Sequence, residues 1–431
     1  MNLEIIILLL AFLVLMGLGV PIAWSIGSAT LITLLVSVDG LPAMATVAQR
    51  MATGLDSFAL LAVPFFILAG QLMNQGGIAR RLIDFAKALV GALPGGLAYV
   101  NIIAAMLFGA ISGSSAAAVT AIGGILGPRM EQEGYPKEFG AAINITAATT
   151  GLIIPPSNIL IIYSLASGGA SIAALFLAGY IPGLLTGALL MVVAAIWAKR
   201  KGYPIGPRTP LREVFFRFVD ALPSLVLLVI VIGGIIAGIF TATEASGVAV
   251  LYTLLLGLAY RQLNRKKLVA VLLESVNTTA IVLLLIATSM AMSWVMAYAD
   301  IPQLVSEGLI GLSDNKIVIL LLINLILLFV GTFMDMTPAV LIFTPIFLPI
   351  VQSLGIHPVQ FGIMMILNLC IGLCTPPVGS VLFIGVGVAK TTIQKVVRPL
   401  LPLFVAMLVA LILVTTIPQL SLWLPNWLQG S

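Results

Sequence analysis

The sequence predicts an all-α polytopic membrane protein built as an inverted repeat. Each half has five spanning segments, one of them broken, and one re-entrant hairpin. Three observations predict this. The first is composition: 61% of the 431 residues are hydrophobic and 8% are charged, with mean hydropathy +1.21, whereas a soluble domain carries roughly 25% charged residues. The second is a pair of interruptions inside apolar runs, TGLIIPPSN at 150–158 and IGLCTPPVG at 371–379. Consecutive prolines remove backbone donors and disfavour helix at the residue before them. The third is spacing. Gly27 and Gly247 lie 220 residues apart, Gly109 and Gly331 lie 222 apart, and Gly151, Pro155 and Pro156 precede Gly372, Pro376 and Pro377 by 221.

The elements follow in order. Residues 3–20 form a first span, Pro21 marks a turn and residues 22–38 return. Residues 42–54, with Gln49 and Arg50, read as a short interfacial segment, and 57–75 span again. Residues 79–90 are amphipathic and basic and read as a helix lying flat on the membrane surface. The apolar stretch 96–128 carries SGSS at Ser112–Ser115 in its middle. Neither half reaches the ~20 residues a span needs, so it reads as a re-entrant hairpin. Residues 139–167 are the first broken helix and 172–198 a full span. Residues 199–217, rich in Pro and Arg, read as a cytoplasmic linker.

The first repeat is thus 1–198, with a scaffold at 3–38 and an arm at 79–90, and the second is 218–431. In the second, 221–259 form the scaffold, 261–274 a basic surface segment, 277–299 a span and 301–312 an arm. Residues 317–351 make the second hairpin, with GTFMDMTP at 331–338 as its tip, and 361–389 the second broken helix. Residues 399–417 are the last span, followed by Trp423 and Trp427 as interfacial anchors.

Charge orients the chain. Five spans per half is odd, so the second half enters from the opposite side. With the N-terminus outside, 18 of the 20 Lys and Arg residues fall inside, and only Arg50 and Lys316 fall outside, in keeping with the positive-inside bias. Both termini are then periplasmic in a bacterial inner membrane.

The composition argues against several function classes. The basic residues are scattered over short loops, so nucleic-acid binding has no support. The single histidine, His357, sits beside Pro358, and no Ser/His/Asp set, metal-ligand cluster or Walker motif is visible, so the chain reads as no enzyme and no ATPase. Cys370 and Cys374, four apart in one apolar helix, read as core residues with no disulfide or metal role. A channel lacks a charged ring or filter repeat.

Transport remains. Broken helices at matching places in two halves point to a transporter's binding site, where freed carbonyls hold cations and half-helix N-termini favour anions. A first sodium site would combine Ser112, Gly113, Ser114 and Ser115 with Gly151, Ile154, Pro155 and Asn158. A second would combine Gly331, Thr332, Asp335 and Thr337 with Gly372, Thr375 and Gly379. Ser115, Asn158, Asp335, Pro156 and Pro377 are the candidate solute contacts. The plainer reading is that these small residues only allow close helix packing; two tips and two breaks in symmetric positions favour function. Asp335 and Glu244 are carboxylates in apolar surroundings, which marks them as functional candidates; for Glu244, which could face another helix or the lipid interface, a purely structural role is the favoured reading. Asn144, Asn277, Asn324 and Asn368 read as buried amides bonding across helices. No Lys or Arg lies in mid-span, so an organic anion would be held by dipoles, amides, hydroxyls and bound cations.

The SGSS tip, the GLIIPPSN break, the GTFMD tip and the GLCTPPVG break together resemble the large membrane subunit of the tripartite ATP-independent periplasmic (TRAP) transporters, over essentially the whole chain. The resemblance implies an elevator-type fold and sodium-driven uptake of an acidic solute, with sodium as coupling ion and no other cofactor. It also implies a small four-helix membrane subunit, encoded separately here, and a periplasmic substrate-binding protein. Sialic acid, other sugar acids and C4-dicarboxylates are the implied solutes, with sialic acid favoured on overall likeness. A self-sufficient sodium/anion symporter is the alternative.

The orientation is testable in intact cells. Cysteines at Asp39 and Asp314 are expected to react with an impermeant thiol reagent, and one at Arg208 to stay unlabelled; labelling at Arg208 reverses the orientation.

Overall fold

The computed structural model describes residues 3–203, 209–313, 315–376 and 378–429. Pro377, Arg208 and Asp314 therefore lie outside the described residues. Within them the chain is all-helical. The first half contains α1 (Leu3–Gly17), α2 (Ile22–Ser37), α3 (Gly40–Leu55), a short 3-10 turn (Phe58–Leu61), α4 (Ala62–Gln75) and α5 (Ile78–Val90). It continues with α6 (Gly96–Ser112), α7 (Ser115–Gln132), α8 (Lys137–Thr150), α9 (Asn158–Ala166) and α10 (Ile172–Lys201). The second half contains α11 (Leu211–Ile236), α12 (Ala242–Ala259), α13 (Arg265–Tyr298), α14 (Ile301–Ile310), α15 (Lys316–Gly331) and α16 (Met336–Ser353). It ends with α17 (Pro358–Gly372), α18 (Ser380–Val388), α19 (Ile393–Thr416) and α20 (Gln419–Gln429). Among the described residues, seven helices are long and apolar enough to cross a membrane.

The centre is built from α8 and α17, which have no exposed face over most of their length. Every residue from Phe139 to Thr150 is buried, as is every residue from Val359 to Gly372. Helices apolar all round belong in a core, and their few polar groups find partners there. Cys370 Sγ donates to the Thr149 carbonyl at 3.2 Å, and Cys374 Sγ lies 3.3 Å from Thr149 Oγ1. Asn368 Nδ2 donates to Asn324 Oδ1 at 2.8 Å, and Asn324 Nδ2 to Thr415 Oγ1 at 3.0 Å. Around this centre pack α6, α7, α15, α16, α18 and α19. A second group contains α1, α2, α3, α4, α12 and α13, in which α12 packs on α4 and α13 crosses α2, α3 and α4.

The amphipathic α5 lies between these groups and packs on both α6 and α11. Arg81 Nε bonds Asp220 Oδ1 at 3.1 Å, and its guanidinium sits 3.3 Å from the Tyr260 ring centroid. Phe85 meets Phe218 with ring centroids 5.6 Å apart. The arm is thus bound to the first turns of α11 by charge and by ring contacts together.

Residues 42–54 are extended at both ends into a full helix, α3, which packs on α13 with the Arg50 guanidinium 4.9 Å over the Trp294 ring and leaves most of its length exposed. Four sequence expectations need correction. Residues 261–274 and 277–299 do not form two elements. From 265 to 298 there is no Gly or Pro to stop a helix, and α13 runs unbroken for 34 residues, capped by Asn264 accepting from the Lys267 N–H. Asn277 consequently falls on an exposed face of α13 rather than in the core. The polar linker is shorter than 199–217, because α10 continues to Lys201 and α11 starts at Leu211 behind Pro210. Glu244 is not buried. It closes a capping box with Thr241 at the start of α12, its carboxylate accepting from the Thr241 N–H at 2.8 Å.

At two places glycines of different elements face each other backbone to backbone. A methyl placed on Gly372 would lie 2.7 Å from the backbone of Gly331, and one placed on Gly109 would lie 2.9 Å from the Gly151 Cα. Backbone cannot yield as a side chain can, so overpacking here costs about 1–3 kcal/mol. Gly372→Ala is expected to lower the thermal midpoint of the purified protein by several degrees. Gly387→Ala, with nothing within 4 Å of the added methyl, is expected to leave it unchanged. Equal midpoints for the two variants would contradict the close approach.

Candidate functional site

The Gly109/Gly151 and Gly331/Gly372 contacts place each hairpin tip beside one of the helix breaks. In the first hairpin, α6 ends at Ser112 and the chain reverses at Gly113, whose φ of +62° is a conformation that disfavours side chains. Ser114 then caps α7, its hydroxyl accepting from the Ala117 N–H at 3.2 Å. Between α8 and α9 the chain leaves the helix over 151–157, and Pro155–Pro156 is a cis peptide. Ser157 Oγ closes the turn by donating to the Leu152 carbonyl at 2.5 Å. The α9 N-terminus begins at Asn158, whose amide nitrogen would lie 3.1 Å from a methyl on Gly113. The first tip and the first break are therefore in contact.

The second tip has the same plan with different residues. The chain turns from Gly331 to Asp335, which occupies the N-cap position of α16. Ser380, first residue of α18, donates through Oγ to Asp335 Oδ1 at 3.4 Å. Thr375 Oγ1 donates to the Ile371 carbonyl at 2.7 Å, and Gly379 N–H donates to the Thr375 carbonyl at 3.1 Å.

Both tips and the starts of both short helices open on one cavity of about 580 Å³. Of the sequence-selected residues, Ser112, Gly113, Ser114, Ser115, Asn158, Asp335 and Thr337 line it. Gly151, Ile154, Pro155, Pro156, Gly331, Thr332, Gly372, Thr375 and Gly379 are not in its lining. Sequence reading missed the opposite wall. Gly70, Gln71 and Asn74 of α4 and Glu274 and Thr278 of α13 face the tips, and Ser380 and Thr120 add hydroxyls. A methyl on Gly70 would lie 2.5 Å from the Ser112 carbonyl, so α4 sits directly against the first tip. The available signal was polar residues about one turn apart, Gln71 and Asn74 on α4 and Glu274 and Thr278 on α13. Among the described lining residues there is no Lys, Arg or His.

The arrangement is one of hydroxyls, amides, carboxylates and two short-helix N-termini around a space large enough for a small organic molecule. Residues 9–420 match the model of the tripartite ATP-independent periplasmic transporter family, DctM component. The chain belongs to this family. It is 57% identical to the protein YgiK of Salmonella typhimurium, over 99% of this chain and 98% of that one. It is 44% identical to the C4-dicarboxylate TRAP transporter large permease protein DctM of Pseudomonas aeruginosa, over 94% of each chain. It is 42% identical to the sialic acid TRAP transporter large permease protein SiaM of Vibrio cholerae, over 89% of this chain and 90% of that one. Among solved structures, the YdaH transporter of Alcanivorax borkumensis superposes with TM-score 0.64 at 15% identity, over 88% of this chain and 89% of that one; at that identity it shows the fold. The chain is accordingly a multi-pass TRAP large permease, of a family that transports rather than catalyses.

Removal of the Ser114 hydroxyl tests the local construction of the tip. Ser114→Ala deletes the α7 cap and is expected to cost about 1 kcal/mol, read as a lowered thermal midpoint. Ser114→Asp, which keeps a capping oxygen, should recover most of it. Identical midpoints for wild type and Ser114→Ala would show that the hydroxyl does not cap α7.

Proposed function

We propose that the chain is the large permease of a sodium-coupled, binding-protein-dependent importer of an organic acid, working by an elevator motion. The observation that carries this reading is the single cavity onto which two hairpin tips and two helix breaks converge. Freed carbonyls and hydroxyls at each tip suit a hard cation, and bound sodium would supply the positive charge that the lining lacks. Ser112–Ser115 with the 151–158 break and Gly331–Thr337 with the 372–379 break are the two proposed ion sites. Ser115, Asn158 and Asp335 face the solute. The backbone-only contribution of Pro156 is to hold the break open, and Pro377 stands at the matching position by sequence.

The proposed moving block comprises α6–α9 and α15–α18, sliding against a scaffold of α1, α2, α11 and α12 as two oppositely inserted halves. α5 and α14 are the arms. With both termini periplasmic in the inner membrane, Asn74 at the end of α4 and Glu274 near the start of α13 would lie toward the cytoplasmic side of the cavity. A small membrane subunit and a periplasmic binding protein complete the assembly, as the family's tripartite description implies. Named relatives act on C4-dicarboxylates and sialic acid, which sets the solute as a small organic acid.

Proteoliposome uptake of labelled sialic acid and succinate is the test, with and without an inward sodium gradient and the candidate binding protein. Uptake is expected only when both are present. The paired change Ser114→Ala and Ser115→Ala, and Thr375→Ala alone, should each raise half-saturating sodium several-fold. Uptake at full rate without a sodium gradient would refute the coupling, and full uptake without a binding protein would make the chain a self-sufficient symporter.

A further inference from the structure

We propose that a cleft between α7, α8 and the end of α18 is a second binding site, for a small chain acid that carries an ammonium group at the end opposite its carboxylate. The cleft has a volume of about 380 Å³ and shares no lining residue with the cavity of the tips. It goes beyond the transport reading above, and its failure would leave that reading untouched.

Two buried amides form the floor. Asn101 of α6 and Asn144 of α8 both line the cleft and are 1% and 3% exposed. Asn144 Nδ2 donates to the Val119 carbonyl at 2.8 Å, which fixes the amide and leaves its oxygen to find a donor. Among the described residues none reaches it, and the same holds for Asn101 Oδ1. Asn101 Nδ2 meets the Met130 sulfur at 3.7 Å, a weak acceptor. A buried acceptor without a partner is costly, and two on one floor call for a ligand group with several donors. Glycine keeps the space above them. A methyl on Gly123 would collide with Asn144 Nδ2, whereas one on Gly124 or Gly127, further along the same face of α7, would meet nothing within 4 Å.

The rim has the opposite chemistry. Lys137, the first residue of α8, lies on one stripe with Gly140 and Asn144, ~10 Å along the helix from Asn144. Its ammonium is paired with Glu131 at 3.2 Å. Lys390, just beyond α18, lines the same rim, is exposed, and makes no salt bridge among the described residues. The unpaired N–H groups at the start of α8 add the positive end of a helix. One uncompensated positive charge thus stands at the rim above two unsatisfied oxygens at the floor. A carboxylate suits the first and an ammonium the second, joined by a chain of several carbons through the Gly-lined space. Lys390 beside the opening disfavours a bare cation. On the orientation proposed above, the rim faces the cytoplasm.

The test is titration calorimetry on the purified full-length chain with ε-aminocaproate, caproate and hexylamine. The first is expected to bind several-fold more tightly than either of the others, each of which lacks one end. Lys390→Gln should weaken ε-aminocaproate toward the affinity of hexylamine. Asn101→Leu, which replaces an unpaired amide by an apolar side chain of similar size, should weaken it toward that of caproate, with the unliganded Tm reporting that the fold is intact. If Asn101→Leu does not fold, Lys390→Gln and Gly127→Leu decide, since the first changes an exposed side chain and the second places its bulk in open space. Gly127→Leu should abolish binding by filling the cleft. Asp335→Asn, in the cavity of the tips, should leave it unchanged. Absence of binding to the wild type, equal affinity for the three compounds, or binding that survives Gly127→Leu and is lost in Asp335→Asn would each overturn the proposal.

Discussion

The site depends on two places where backbone touches backbone. Gly109 against Gly151 and Gly331 against Gly372 leave no room for a methyl on Gly109, Gly151 or Gly372 and only a tight fit for one on Gly331. Because the helices meet that closely, the loop at the end of each hairpin falls beside the loop that interrupts the neighbouring helix. Move either pair apart by the thickness of one side chain, and Ser114 and Asn158, or Asp335 and Ser380, no longer share a wall. Both contacts lean on α8 and α17, the most fully enclosed helices in the protein. The polar loops are therefore held by the most enclosed part of the structure.

The chemistry of the cavity is divided between its two sides. The tips and breaks supply serine hydroxyls, one carboxylate and exposed backbone. The wall made by α4 and α13 supplies two amides, a threonine and a second carboxylate. The two sides belong to two packing units, α4 and α13 to one and the helices of the tips to the other.

The helical membrane character, the tips and the breaks were legible in the sequence because each has a local cause. Glycine at a reversal, paired prolines at an interruption and serine before a helix act on the backbone within a few residues. Gln71, Asn74 and Glu274 were not legible as cavity residues. Their role is set by which helices pack together, and a single polar residue in an apolar helix looks the same whether it faces a neighbour, lipid or a cavity. Glu244 and Asn277 show the converse. Their surroundings in sequence are apolar, yet Glu244 is spent on a helix cap and Asn277 points away from the core. The unbroken α13 was hidden by its own charges: Arg265, Lys266 and Lys267 look like a surface segment, but their long apolar stems allow them to occupy the first turn of a helix that continues inward.

The attachment of α5 has a mechanical consequence. Arg81 is held by Asp220 and by the face of Tyr260, and Phe85 by Phe218, so α5 is fixed to α11 and to the end of α12 at several points along its length. Its other neighbour, α6, begins only after the short stretch 91–95, Gly-Ala-Leu-Pro-Gly. With α5 fixed in this way, a rotation of the first hairpin relative to α11 would combine a bend in these five residues with sliding at the face where α5 packs on α6.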